Sequence, residues 1–284
     1  MICPESWQQA LKQPPLSVST PFTLRLNLAR LLRTETRPSA AFISGLRSDS
    51  PSTAFLAGYQ IAMRFIDPAL EPEQWAAFCI NEKGVTSTRE FTTRLDSNTL
   101  SGRKGYVLMA GSNIDWLYVA ANSIDGLVCV RVTPATPGVS VVSSSKPQPF
   151  LVDIPHGSLL MKDTAVTDTY FKTKVHEELN KPFRFHEDVL CLLAFAGWVC
   201  RALGDVSAGD CVELQQGVTP LMNAYSNDAL SYSLTTLDLF EALERVLDEV
   251  SNNLPDSARR IWLRDRAILS LGQKARAIIR SRLL

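Results

Sequence analysis

The spacing of hydrophobic positions changes twice along the chain and divides it into three zones. In the first zone, residues 1–70, apolar residues recur every three or four positions over 24–32 and 53–65, which predicts two amphipathic helices. Ser50 is in position to cap the second helix, with Pro51 in its first turn, and Asp67-Pro68 is expected to end it.

The second zone, residues 71–160, is predicted to consist of strands. Short runs rich in aromatic and β-branched residues are separated by turn signals such as Ser97-Asn98 and Asp125-Gly126. The runs are 75–80, 90–95, 105–110, 116–121 and 127–132. Because no helical pattern interrupts them, the zone favours an antiparallel sandwich or barrel over parallel βαβ units.

The third zone, residues 161–284, returns to the helical period. Pro182 is expected at the start of a first helix, and 204–219 is predicted to be a loop. The apolar stripe of that helix is formed by Val189, Leu192, Leu193, Ala196 and Val199.

Two more helices are predicted in this zone. One covers 236–250, with Thr235 and Asp238 as a capping box. The last begins after Pro255 and runs to the C-terminus as a single helix.

The zones together predict a multi-layer α+β fold. It has a short N-terminal helical region over 1–70, a central antiparallel β-sandwich or barrel over 71–160, and a C-terminal helical bundle over 161–284. The 284 residues are 45% hydrophobic, which suffices for a large core. The 29 basic and 29 acidic side chains cancel, so no global charge attracts nucleic acid or an anionic membrane.

The six cysteines match neither a C-x-x-C pair nor a zinc-ligand spacing, and no metal site is predicted. They are Cys3, Cys79, Cys129, Cys191, Cys200 and Cys211. Most lie in apolar runs, so we expect buried free thiols in a reducing compartment. The longest apolar stretch, 189–200, is shorter than the roughly 20 residues of a membrane span. A cytoplasmic location without membrane contact is the expectation.

Charge is uneven near the C-terminus, where 256–284 holds eight basic and two acidic residues. One interpretation is a phosphate-binding surface for a nucleotide, coenzyme A or nucleic acid. The other is neutralisation by the preceding helix, which has a single basic residue, Arg245. Its acidic residues are Asp238, Glu241, Glu244, Asp248 and Glu249. We adopt the second interpretation and expect no nucleic-acid partner.

Sequence motifs alone leave the activity open. The three histidines, His156, His176 and His186, have no metal-ligand spacing. We interpret the triplet His186-Glu187-Asp188 as a solvated helix face, because adjacent residues on a helix do not face each other. The sequence has no glycine-rich phosphate loop, no G-x-S-x-G and no H-E-x-x-H.

Several segments, in the correct order, resemble the acyl-CoA dehydrogenase family. The hairpin 95–107 and the strand 115–120 are similar to the family's L-x-G-x-K-x-W-I-T-N hairpin and the strand after it. Residues 80–88 are similar to its T-E-P-x-A-G-S-D loop. Further matches are Pro137-Gly138-Val139, Val152-Asp153-Ile154-Pro155 and Arg264-Asp265-Arg266-Ala267-Ile268-Leu269. The resemblance implies a divergent, N-terminally short member with the family's helical, β, helical order.

The resemblance also implies where FAD would be contacted. The family's flavin-packing Trp is Tyr106 here, and its flavin-bonding Thr is Leu108, which has no donor or acceptor. In the upstream loop Glu82 and Ser87 match the family, while Asn81 replaces a Thr. With five contact positions implied and one of them altered to an apolar residue, both a flavin-bound and a flavin-free protein remain open.

The family's usual catalytic base is altered as well. Counted from the Arg264 motif, the Glu of Y-E-G-T falls on Gln273, whose amide binds substrate but accepts no proton. Some members place this Glu on another helix, which leaves Glu241 and Glu244 open.

Two functions therefore follow from the resemblance. The first is an FAD-dependent oxidoreductase acting on an acyl-CoA or related acyl thioester. The second is a catalytically silent subunit that serves as an interaction or scaffold partner of an active homologue. The family associates through its C-terminal helices, so a homo-oligomer, or a heteromer with a homologous chain, is expected in either case.

Overall fold

The computed structural model describes residues 5–110, 113–146, 148–167, 170–227 and 231–284. Four helices precede the strands: α1 (Glu5–Lys12), α2 (Pro21–Thr34), α3 (Arg37–Leu46) and α4 (Pro51–Ile66). Five helices follow them: α5 (Lys181–Leu203), α6 (Ala208–Asn227), α7 (Leu234–Val250), α8 (Asp256–Asp265) and α9 (Ala267–Leu283). The strands are β1 (Ala76–Cys79), β2 (Arg94–Asp96), β3 (Thr99–Leu108), β4 (Trp116–Ser123), β5 (Gly126–Val132), β6 (Val139–Ser143), β7 (His156–Ala165) and β8 (Phe171–Lys172).

The start and end of α4 confirm the sequence-based prediction. Ser50 Oγ accepts a hydrogen bond of 3.2 Å from Thr53 N, Pro51 opens the helix, and the helix ends before Asp67. In contrast, α3 was not predicted. Its residues from Ala40 to Leu46 are all buried, so this stretch has no solvent-exposed side that would mark it in the sequence.

The sheet has the strand order β6-β7-β3-β2-β4-β5-β8, and β1 also pairs with β4. Most pairs are antiparallel, as predicted, but β4 is parallel to both β1 and β2, so the sheet is mixed. Five consecutive residues of β4 are buried, and such strands read as continuous apolar runs rather than alternating ones. The core of the sheet includes Leu100, Leu117, Val119, Val128, Val130 and Leu159.

The strands extend beyond the predicted ones. β6, β7 and β8 were not predicted from the periodicity, and β7 crosses residue 160. The central strands β4 and β5 match their predicted runs closely, whereas β3 begins at Thr99, well before its predicted run.

The predicted loop over 204–219 is wrong, because α6 occupies most of it. Gly209, Gly217 and Pro220 signal a turn in the sequence. However, Leu214, Val218 and Leu221 are completely buried at helical spacing, so tertiary packing outweighs local propensity.

Two helix boundaries also differ from expectation. Ser233, rather than Thr235, caps α7 by accepting a hydrogen bond of 3.1 Å from Thr236 N. The single C-terminal helix is divided at Arg266 into α8 and α9. Just before this break, the buried Asp265 accepts hydrogen bonds from Ser52 Oγ (3.2 Å) and Leu151 N (2.8 Å).

The cysteines follow the prediction only in part. Cys79, Cys129 and Cys191 are buried free thiols, as expected. Cys200 and Cys211 instead form a disulfide that joins α5 to α6. The sequence offered no signal for this pair, because a helix in place of the predicted loop is what brings the two sulfurs together. Cys3 lies outside the described residues.

The chain forms two compact units. The helical unit contains residues up to 62, the segment 149–153 and residues 184–284, so it draws helices from both ends of the chain. The β unit contains 63–148 and 154–183. No helix among the described residues has the length and apolar character needed to cross a membrane. The division of the sequence into three zones stays a prediction.

Candidate functional site

In the β unit, the Glu82 carboxylate is held by the chain itself. Its Oε2 accepts hydrogen bonds from Thr92 N (2.8 Å) and Thr92 Oγ1 (2.9 Å), and its Oε1 accepts from Thr93 N (3.0 Å) and Lys104 Nζ (2.9 Å). The Lys104 ammonium also lies 3.9 Å from the centre of the Phe91 ring. These contacts fasten the predicted flavin loop to β3.

The protonation of Glu82 follows from these contacts. Burial alone would raise the pKa of Glu82, but the hydrogen bonds from Lys104, Thr93 and Thr92 outweigh it and lower the pKa to about 2. Glu82 is therefore an anion whose oxygens are occupied by groups of the chain. Glu82 thereby shapes the loop, and a role for it in flavin binding stays a prediction.

Tyr106 lies where β3 departs from regular pairing. The β3–β7 register shifts between Lys104 and Val107, and Tyr106 has a φ of 56°, with 63% of its surface exposed. A bulky residue in this conformation is strained and marks a candidate functional position. Gly105, the residue before Tyr106, donates a hydrogen bond of 2.8 Å from its N to Asn81 O. Asn81 is therefore bonded to the irregular part of β3 that contains Tyr106.

Two other predicted flavin residues have local roles. Ser87 Oγ accepts a hydrogen bond of 3.3 Å from Arg89 N and so caps the short 3₁₀ helix Thr88–Glu90. Leu108 is half-buried and pairs with His156 of β7. The assignment of all five residues to flavin binding stays a prediction.

These residues fit a flavin in one respect. An isoalloxazine ring needs a flat apolar surface, and the exposed ring of Tyr106 offers one. The side-chain hydrogen bond that the family would supply at Leu108 is absent. A flavin here would rely on stacking and on backbone groups.

The helical unit contains a second cluster of ionisable side chains, centred on Asp188. Asp188 on α5 lies 3.0 Å from Arg184 Nε and 3.3 Å from Arg276 Nη1, and accepts a hydrogen bond of 3.2 Å from Tyr232 Oη. Arg276 Nη2 in turn lies 3.2 Å from Glu244 Oε1. Arg276 is almost completely buried, so these carboxylates are the partners that make its burial tolerable.

Glu187, next to Asp188, has a different environment. Its one ion pair among the described residues is a long one, 3.7 Å to Arg184 Nη1. It borders a small cavity of about 40 Å³ whose other walls are mainly apolar. Those walls include Phe55, Cys191, Phe195, Ile268, Leu269 and Leu271. Burial, with Asp188 adding to it and Arg184 opposing it, raises the pKa of Glu187 to about 7.

Gly272 leaves space for the side chains of Arg184, Asp188 and Arg276. A Cβ at this position would lie 2.2 Å from Arg276 Nη1, 3.1 Å from Asp188 Oδ2 and 3.2 Å from Arg184 Nη2. A glycine at the position where the resemblance places a tyrosine therefore makes room for both guanidinium groups.

Gln273 lies apart from the Glu187 cavity. It is exposed and borders a surface groove of about 550 Å³ formed by α7, α8 and α9, together with Glu241 and Glu244. The three residues named from the resemblance thus share one groove. The prediction that Gln273 binds substrate remains untested.

Part of the basic charge of the last helices is paired with acidic residues of α7, as the preferred interpretation predicted. Arg280 lies 2.8 Å from Asp238 and 3.2 Å from Glu241, and Arg266 lies 2.5 Å from Asp248. Together with Arg276 and Glu244, these pairs connect α9 and the residue before it to α7.

The interpretation of His186-Glu187-Asp188 as a solvated face is wrong. His186 is only 5% exposed, and its Nδ1 lies 2.7 Å from Tyr225 Oη. The sequence singled out the triplet but could not show what packs over it, because Tyr225 and Arg276 are distant along the chain. In the sequence, this cluster was indicated by three consecutive polar residues just before the apolar stripe of α5.

Comparisons with known proteins concern the fold. No protein-family model and no curated protein sequence matches the chain. Among solved structures, butyryl-CoA dehydrogenase from Megasphaera elsdenii matches with a TM-score of 0.67 and 12% identity, over 95% of this chain and 94% of that one. Glutaryl-CoA dehydrogenase from Mycobacterium smegmatis matches with a TM-score of 0.59 and 15% identity, over 93% and 84%.

A third match is the FAD complex of PigA, with a TM-score of 0.61 and 10% identity over 100% of this chain and 99% of that one. These likenesses extend over almost the whole chain. The acyl-CoA dehydrogenase-like fold predicted from the sequence is therefore confirmed.

Proposed function

We propose that the protein is an FAD-dependent dehydrogenase of acyl thioesters in which Glu187, rather than Gln273, accepts the substrate's α-proton. The observation that carries the proposal is the environment of Glu187, a carboxyl group beside an apolar cavity with a single ion pair, 3.7 Å long, to Arg184. Its pKa of about 7 suits a group that must gain and lose a proton near neutral pH.

The chain's own residues divide the work. Glu187 takes a proton from the carbon next to the thioester carbonyl, and the apolar wall around Phe55 and Leu269 limits the water around the carboxylate, whose side chain is 19% exposed. A bound FAD supplies the hydride acceptor that completes formation of the α,β-unsaturated product.

The first test is flavin binding and turnover by the full chain. Purified protein is titrated with FAD and followed by its visible absorption, then mixed with saturated acyl-CoA thioesters of increasing length and a dye acceptor. We expect bound flavin and turnover that rises with pH as Glu187 loses its proton. A protein that takes up no FAD would overturn the proposal.

The role of Glu187 is tested by Glu187→Gln, which keeps the shape of the side chain and removes its basicity. We expect turnover to fall by about 10² to 10⁴, the usual range for loss of a general base, with FAD binding unchanged. Glu213→Gln, at an exposed position of α6, is the matched control and should retain full activity. Equal activity in both variants would remove Glu187 from the mechanism.

One observation favours the second candidate, a silent subunit of an active homologue. Leu108 and Gln273 have both lost the groups that the family uses for flavin bonding and proton transfer. This candidate predicts no turnover with any thioester and co-purification with a full-length homologous chain. The turnover assay above separates the two functions.

Self-association is part of the proposal for either function. Leu263 of α8 and Leu271 and Ile278 of α9 are large apolar residues with 43–59% of their surface exposed. We interpret them as candidate contacts of an interface between protein chains. Light scattering of the wild type and of Leu271→Lys tests it, with a decrease in mass expected for the variant.

A further inference from the structure

Arg184 has two carboxylates within reach on its own helix. Glu187 lies three residues and Asp188 four residues further along α5, and both spacings place side chains side by side. The Arg184 guanidinium lies closer to Asp188 than to Glu187. Its Nε is 3.0 Å from Asp188 Oδ1, whereas its Nη1 is 3.7 Å from Glu187 Oε2.

Asp188 is fixed in a position that favours this choice. Tyr232 Oη and Arg276 Nη1 both reach its Oδ2, which leaves Oδ1 directed to Arg184. Two hydrogen bonds to Oδ2 and the ion pair of Oδ1 with Arg184 hold this carboxylate in place. Glu187 has no comparable set of donors among the contacts of the described residues.

We propose that Asp188 is a positioning residue, which holds the Arg184 guanidinium away from Glu187 and so leaves Glu187 free to bind and release a proton. The inference rests on the proposed function, because it explains how Glu187 avoids becoming a permanently paired anion. The role assigned to Asp188 is exerted through Arg184 and not on the reacting atoms.

The charged and titratable groups around Glu187 come from several elements. From α5 these are Arg184, Asp188 and Cys191. Arg276 of α9, Glu244 of α7 and Tyr232 complete the set through Asp188 and Arg276. The carboxylates in this set outnumber the cations, and among them Asp188 disfavours a negative charge on Glu187. Phe55 of α4 adds only apolar surface.

Removing the charge of Asp188 should favour the ionised form of Glu187 for two reasons. It deletes a neighbouring anion that disfavours a second negative charge on Glu187. It also releases Arg184 to pair with Glu187 as its nearest remaining carboxylate. Both changes stabilise the ionised form of Glu187.

The experiment is a carboxyl-carbon NMR titration of the full chain labelled at glutamate, with the Glu187 resonance assigned by its loss in Glu187→Gln. In Asp188→Asn we expect the Glu187 midpoint to fall by about one pH unit or more. Asp188→Glu should restore it in part. The matched control is Asp238→Asn, which also loses an arginine-paired carboxylate and should leave the midpoint unchanged.

A second variant protects the test against misfolding of the first. Arg184 is 40% exposed, so Arg184→Gln should fold, and it should raise the Glu187 midpoint because the cation that pairs with Glu187 is lost. In the double variant, the shift caused by Asp188→Asn should be smaller than in the wild type, since Arg184 is no longer present to be released.

The outcomes separate the inference from the proposed function. A Glu187 midpoint that does not move in Asp188→Asn, or moves equally with and without Arg184, overturns the positioning role. In active protein, the acid limb of the pH–turnover profile should move with the NMR midpoint. A wild type that turns over no thioester but shows the expected midpoint shifts would refute the proposed function and support the charge relationship.

Discussion

Lys104 Nζ lies 2.9 Å from Glu82 Oε1, and both side chains are almost completely buried. This ion pair connects the loop that precedes β2 to the interior of β3. Tyr106, the candidate flavin platform, follows Lys104 by two residues. The buried charge pair and the exposed ring therefore lie on the same strand.

The first prediction concerns Lys104→Met, which keeps the length of the side chain but leaves the Glu82 anion buried without its cation. We expect a loss of about 3–5 kcal/mol in the free energy of unfolding, measured by urea denaturation. Glu82→Gln combined with Lys104→Met should recover much of this loss. Lys83→Met, at an exposed neighbouring position, should change stability little, and an unaltered Lys104→Met midpoint would contradict the role of the pair.

A pH dependence follows from the same pair. The pKa of Glu82 is about 2 in the folded chain against 4.5 for an ordinary Glu, so ionised Glu82 stabilises the fold above pH 4.5. This contribution, about 3 kcal/mol at most, is lost progressively as the pH falls from 4.5 towards 2. Acid titration followed by circular dichroism should show a smaller loss over this range in the Glu82→Gln, Lys104→Met double variant. Identical acid profiles would refute the assignment.

Local signals in the sequence predicted several elements well. The cap at Ser50, the proline at the first turn and the Asp67-Pro68 end defined α4, because each acts through the backbone of that segment alone. β4 and β5 were predicted equally well, because their apolar runs and the Asp125-Gly126 turn are local features.

Features that depend on distant packing could not be read in this way. α6 contains two glycines and a proline, and only its packing in the folded unit makes it a helix. Glu187 was recognised as part of a polar triplet, but its apolar cavity is built by residues far along the chain, such as Phe55 and Leu269. Periodicity identifies a face of a helix and does not identify what covers it.

Gly272→Ala tests the packing of the arginine cluster. A methyl group would meet Arg276 Nη1 at 2.2 Å, and Arg276 is too buried to move aside freely. We expect a loss of about 1–3 kcal/mol from overpacking, against the gain that alanine normally gives in a helix. Gly209→Ala, where no atom lies within 4 Å of the added Cβ, is the matched control and should stabilise the fold in thermal denaturation. Stabilisation by both substitutions would contradict the crowding at Gly272.

Tyr106 allows its two properties, an exposed ring and a strained backbone, to be separated. Tyr106→Gly removes the ring but accepts the φ of 56° without cost, so we expect the flavin-free protein to gain about 1 kcal/mol in stability. FAD affinity should fall about tenfold in the same variant, since an aromatic pair is worth about 0.5–1.5 kcal/mol beyond its buried area. Tyr106→Phe keeps the ring and should match the wild type in both measurements. FAD binding by Tyr106→Gly at wild-type affinity, measured by fluorescence titration, would show that the ring is no flavin platform, whatever the change in stability.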